Sequence, residues 1–175
     1  MTTPDHNNPL LQPWEEPFGL PPFERVRSEH FAPAFEQAMA AHRTEIDRIA
    51  DSPEAPTFEN TIAALDRSGR LLTRTEQLFF NLAASETSPA LQAVEREVAP
   101  KLAAHENAIL LDEKLFARID ELHAKRTALS LSVEQLRLLE RTHLDSVLAG
   151  ARLSTSAKAR LSEIVERLAQ LQTNF

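Results

Sequence analysis

The chain has no cysteine and no tyrosine, and only three of its 175 residues are glycine. Without cysteine there is no disulfide framework and no thiolate chemistry, which fits a reducing compartment. So few glycines leave no Gly-rich loop for phosphates, and they argue against a nucleotide site built on close backbone approach. No apolar run nears the roughly 18 residues that span a bilayer. The start, "MTTPDHNNPLLQPWEEPF", has neither a basic head nor the apolar core of a signal peptide. Lysines and arginines are scattered among acids, the net charge is −7, and no basic cluster could neutralise phosphates. The expectation is a cytoplasmic protein without nucleic-acid or membrane partners.

Hydrophobic residues make up 42% of the chain, enough for a folded core, and Ala, Leu, Glu and Arg dominate. The fold class expected is all-α, with about six helices, several of them long, in an antiparallel bundle-like arrangement. No strand stands out and no period recurs between segments.

Residues 1–27 hold Pro4, Pro9, Pro13, Pro17, Pro21 and Pro22 and cannot propagate a helix. They form a Pro-rich extended arm, packed on the domain by Trp14, Phe18 and Phe23, with a disordered tail expected over the first dozen residues. A helix over about 29–51 follows, with Pro33 in its first turn and Phe31, Phe35, Ala38, Met39, Ile46 and Ile49 inward.

The stretch "PTFENTIAALDRSGRLLTRTEQLFFNLA" opens on a Thr57 cap and runs through Ser68-Gly69. Phe58, Leu65, Leu72 and Phe79 keep one heptad phase across that pair, and this predicts a single helix over about 57–85. Gly69 would then lie on the buried stripe, where a missing side chain lets another backbone approach. A helix stop at Gly69 is the alternative. Phe80 falls off the stripe onto a polar flank.

Ser88-Pro89 reads as a cap and first helical residue, with Leu91, Val94, Val98 and Leu102 inward and Pro100 expected to kink or divide the helix. Asp112 caps the next helix, whose inward residues are Leu115, Ile119 and Leu122. "SVEQ" at Ser132 to Gln135 is a capping box for a helix carrying Leu136, Leu139, His143 and Val147, ended by Gly150. From Ser154, a stripe of Ala157, Leu161, Ile164, Leu168, Leu171 and Phe175 runs to the last residue without an end signal, as in a domain fragment or a frayed natural end.

The zinc-peptidase pattern HExxH is absent: His105-Glu106 begins it, but Ile109 stands where the second imidazole belongs. Glu140-x-x-His143 has the spacing of di-metal bundles, without the second pair and two further carboxylates such sites need. A partly buried, hydrogen-bonded imidazole is expected at His143. No Ser lies in a G-x-S-x-G turn. The residues alone leave two readings open: a stand-alone helical protein-interaction module, or part of a larger enzyme whose catalytic groups lie elsewhere in the polypeptide.

"NPLL", "PPFERVRSEHFAPAFEQAM", "PTFENTIAALDRSGRLLTR" and "LFFNLAASETSPALQ" resemble the N-terminal region of bacterial peptidyl-dipeptidases, as do "LFARIDEL", "EQLRLLERTHLDSVLAGARL" and "KARLSEIVERLAQLQTNF". These enzymes, also called dipeptidyl carboxypeptidases, belong to the thimet-oligopeptidase-like zinc metallopeptidases. The similarity runs from about Asn8 to Phe175. It implies that residues 28–175 are the non-catalytic helical domain of a longer zinc peptidase and form one wall of its substrate channel. It also implies that the zinc ligands, catalytic base and oxyanion-stabilising Tyr and His lie beyond Phe175, so no catalytic or metal residue is assigned here. The implied partners are the missing C-terminal catalytic half and, for the full-length enzyme, short peptides that lose C-terminal dipeptides. Phe80 and Phe175 are the residues expected to face the missing half.

Overall fold

The computed structural model describes residues 7–172; Pro4 and Phe175 lie outside them. Among the described residues there is no strand. Six helices of 12 residues or more build the molecule. They are α1 (Phe31–Ala50), α2 (Arg70–Ser85), α3 (Pro89–Leu110), α4 (Glu113–Ala124), α5 (Val133–Leu148) and α6 (Thr155–Gln172).

Local chemistry sets most of the boundaries. Ser88 Oγ accepts the Leu91 amide at 3.2 Å, with Pro89 at the first helical position. Asp112 Oδ1 accepts the Lys114 and Leu115 amides, both at 3.0 Å. Ser132 and Gln135 form the reciprocal capping box. Each such cap satisfies amides that have no intrahelical partner. Helix α3 runs undivided through Pro100.

The single helix expected over 57–85 is not observed. Thr57 does cap a start, accepting the Asn60 amide at 3.1 Å, but the chain then forms a π-helical segment, Phe58–Ala63, and one α-turn, Ala64–Arg67. Ser68 is extended (φ −74°, ψ 163°) and Gly69 is left-handed (φ 69°, ψ 18°), the dihedral pattern of a type II turn. Glycine tolerates that region at no steric cost, which is why the break falls there. The heptad phase survives the break, with Phe58 and Leu65 partly buried before the turn and Leu72 and Phe79 buried after it.

Helix α1 is the spine. Its first half packs Phe31, Phe35 and Ala38 against Leu72, Leu78 and Phe79 of α2 and Leu91 and Val98 of α3. Phe79 meets Phe31 and Phe35 edge-on, at centroid distances of 5.0 and 5.4 Å. Its second half packs Ile46 and Ile49 against Ile62, Leu115, Ile119, Leu122 and Leu139 in a second cluster.

The arm is held differently from expectation. Leu10 is fully buried and Asn8 nearly so, with Asn8 Nδ2 donating to the His30 carbonyl at 2.8 Å, so residues 8–11 are anchored rather than a loose tail. Trp14 lies under the Arg74 guanidinium at 4.5 Å, and Arg74 Nη2 donates to the Leu10 and Gln12 carbonyls at 2.6 and 3.1 Å. Phe18 and Phe23 do not pack: they are 100% and 52% exposed. Of the three aromatics expected to hold the arm only Trp14 does so, together with buried Leu10 and side-chain hydrogen bonds to and from the backbone.

Candidate functional site

Between the two apolar clusters, α1 carries His42 and Glu45. Glu45 Oε2 accepts the Gly69 amide at 2.7 Å, which fixes the turn against α1. A Cβ on Gly69 would stand 2.8 Å from the His42 ring, so the close approach expected of this glycine is present, made by a side chain rather than by another backbone. The Ser68 hydroxyl donates to the Leu65 carbonyl at 2.7 Å, and its oxygen is left to accept from His42 Nε2 at 3.1 Å. His42 Nδ1 then accepts from His105 Nε2, 3.1 Å away on α3. This relay requires His42, which donates through one ring nitrogen and accepts through the other, to be neutral. Burial lowers the His42 pKa despite Glu45, and burial, His42 and Arg43 lower that of His105. Because the Ser68 proton is committed to a backbone carbonyl, nothing activates that hydroxyl as a nucleophile.

The relay forms part of the floor of a groove of about 660 Å³. Helix α1 packs on both α2 and α3 more extensively than those two pack on each other, and the groove is lined from both. Its walls are apolar, from Leu65, Leu72, Leu102, Ala103, Ile109 and Leu110, and the end of α6 borders it through Ala169 and Gln172. Glu76 of α2 and Glu95 and Glu106 of α3 also line it. Burial, and secondarily Glu106, pushes the Glu76 carboxyl above its usual range.

A second polar cluster lies between α4 and α5. His143, 8% exposed, donates from Nε2 to Asp120 Oδ1 at 2.9 Å, the buried and paired imidazole expected there. It stacks on His123 at 3.7 Å, with the rings 2° from parallel. His143 and then Arg152 hold the Asp120 carboxyl below its usual value. Glu140, the other member of the Glu-x-x-His spacing, pairs with Arg126 at 3.4 Å instead. Among the described residues no group of three or more His, Cys, Asp or Glu could hold a metal ion.

Phe80 is 41% exposed, off the buried stripe, with Phe79 beneath it at 5.2 Å. Phe175, paired with it in the sequence reading, lies outside the described residues. Ile164, Leu168 and Leu171 leave an exposed apolar row along α6, although α6 is docked on α3 by Asn107 Nδ2 donating to Ser162 Oγ at 2.7 Å. The sequence reading did not find the groove or its relay. Its polar members come from segments 26 and 63 residues apart, and the only signal was the unexplained polar position of Glu76 within an apolar phase.

No protein-family model matches the chain. It is 40% identical over 168 residues to the dipeptidyl carboxypeptidase of Salmonella typhimurium and 39% identical over 168 to that of Escherichia coli. It is 28% identical over 169 residues to oligopeptidase A of Haemophilus influenzae. These matches take in 96–97% of the chain but only 24–25% of each relative, so the chain spans about a quarter of their length. By sequence, nearly the whole chain is similar to a quarter of the dipeptidyl carboxypeptidases and of oligopeptidase A, consistent with an N-terminal region of that family.

Proposed function

We propose that the chain is the non-catalytic N-terminal helical domain of a cytoplasmic, zinc-dependent peptidyl-dipeptidase, in which it forms a wall of the substrate channel. The complete protein hydrolyses short peptides and releases C-terminal dipeptides. The observation that carries this reading is the 40% identity to a dipeptidyl carboxypeptidase along nearly all of this chain. The open groove between α2 and α3 gives a domain of this kind a concave face of ligand size. The catalytic half is the partner, and exposed Phe80 together with Phe175 contacts it, since an apolar ring at a domain boundary gains by burial. Zinc, held by residues outside this chain, would supply Lewis-acid chemistry to the complete protein. The helices here exclude folded chains from the channel.

Zinc content tests the division of labour. After dialysis the 175-residue chain should retain no stoichiometric zinc, whereas the complete polypeptide should hold about one ion per molecule. Stoichiometric zinc on the chain alone would overturn the proposal. The alternative, a stand-alone interaction module, requires that the complete polypeptide also lack the metal.

A further inference from the structure

The groove between α2 and α3 has a charge pattern that its apolar walls do not explain. Three carboxylates face it, Glu76 from one wall and Glu95 and Glu106 from the other, and no lysine or arginine lines it. None of the three has a hydrogen bond or ion pair among the described residues, although elsewhere acids pair freely, as in Lys101 with Glu36 and Glu97 or Arg43 with Asp47 and Asp112. Glu76 is half-buried beside leucines, where an isolated carboxylate is disfavoured unless a cation is near. The two imidazoles of the floor are engaged with each other, and burial disfavours the charged form of both.

We infer that the groove is a binding site for short cationic peptides, seating a lysine or arginine between Glu76 and Glu106 while an adjacent apolar side chain packs on the Leu72 and Leu102 wall. The cavity volume, about 660 Å³, suits a few residues of extended chain and not a folded partner. Charge complementarity selects the occupant: an anionic segment would bring a fourth negative charge to three unpaired ones, and a neutral one would leave Glu76 uncompensated. The inference rests on the reading of this domain as a channel wall, to which it adds a preference for basic substrates.

The test separates the two. Fluorescence anisotropy with the 175-residue chain would compare a labelled peptide Ala-Leu-Lys-Leu-Arg-Ala with versions carrying Gln or Glu in place of Lys and Arg. The cationic peptide should bind about tenfold more tightly than the Gln version, the worth of one charge-assisted contact. That preference should shrink in Glu76→Gln and in Glu106→Gln, fade with added salt, and persist in Glu24→Gln on the arm. Helical circular dichroism checks that each variant folds, and Ala103→Phe, which narrows the groove from α3, should weaken every peptide. Equal binding of cationic and Gln peptides, no binding at all, or a preference indifferent to both glutamate changes would overturn the inference. Dipeptide release by the complete polypeptide is read separately, so loss of the peptidase reading and loss of the cationic site give different results.

Discussion

At the scale of single residues, Gly69 joins two requirements that the sequence shows only in part. It needs a left-handed backbone and it lacks space for a Cβ beside His42. Gly69→Ala should therefore cost about 1–3 kcal/mol in urea melts, and a larger side chain more. A neutral Gly69→Ala would show that neither constraint is real. The histidines make a second prediction. His42, His105 and His123 titrate below their ordinary 6.5 in the folded chain, chiefly through burial. As pH falls past 6.5, the unfolded chain takes up protons that the folded chain refuses, so stability present above that value is lost. The fall should be seen between about pH 7 and pH 5. Glu76 acts with opposite sign, because its raised pKa favours the folded state as pH drops, but it does so nearer its ordinary 4.5. His105→Leu should shrink the difference between melts at the two pH values, whatever it does to stability itself. An undiminished difference would place the pH dependence elsewhere.

At the scale of elements, what was legible was local. The caps at Thr57, Ser88, Asp112 and Ser132 depend on side chains within three residues of the amides they bind, and all four are present. The inward faces of α1 and α4 followed from helical spacing in the same way. The break at Gly69, named in the sequence as the alternative, was outweighed because a two-residue turn left the apolar phase intact on both sides, and phase carries no information about backbone dihedrals. Contacts between distant segments were not legible at all. Arg118 on α4 is buried and donates to the Ser52 and Glu54 carbonyls and to Asn60 Oδ1, tying down the loop after α1. Nothing in the spacing around Arg118 distinguishes it from the solvated arginines of other helices. The arm illustrates the same limit: proline content showed that it is not helical, but Phe18 and Phe23 proved exposed while Leu10 and Asn8 proved buried. Leu10→Ala should cost about 2–5 kcal/mol if the arm is integral to the first apolar cluster. A cost near zero in thermal or urea unfolding would return the arm to the status of a loose tail.

At the scale of the whole molecule, α1 divides its burial between two apolar clusters, and the seam between them is polar. The seam holds the Ser68–His42–His105 relay and opens into the groove between α2 and α3. The groove was not legible in the sequence, since its lining comes from separate helices that only the fold brings together. The exposure of Phe80 was legible, from its position off the stripe. The proposed division, with access shaped by this helical scaffold and chemistry carried out elsewhere in the polypeptide, is open to direct test. Product analysis is the most direct test of that division. Mass spectrometry of a short unfolded peptide should show successive loss of C-terminal dipeptides with the complete polypeptide, stopped by a zinc chelator, and an intact peptide with the 175-residue chain. Chelator-sensitive dipeptide release by the chain alone, or none by the complete polypeptide, would contradict the account.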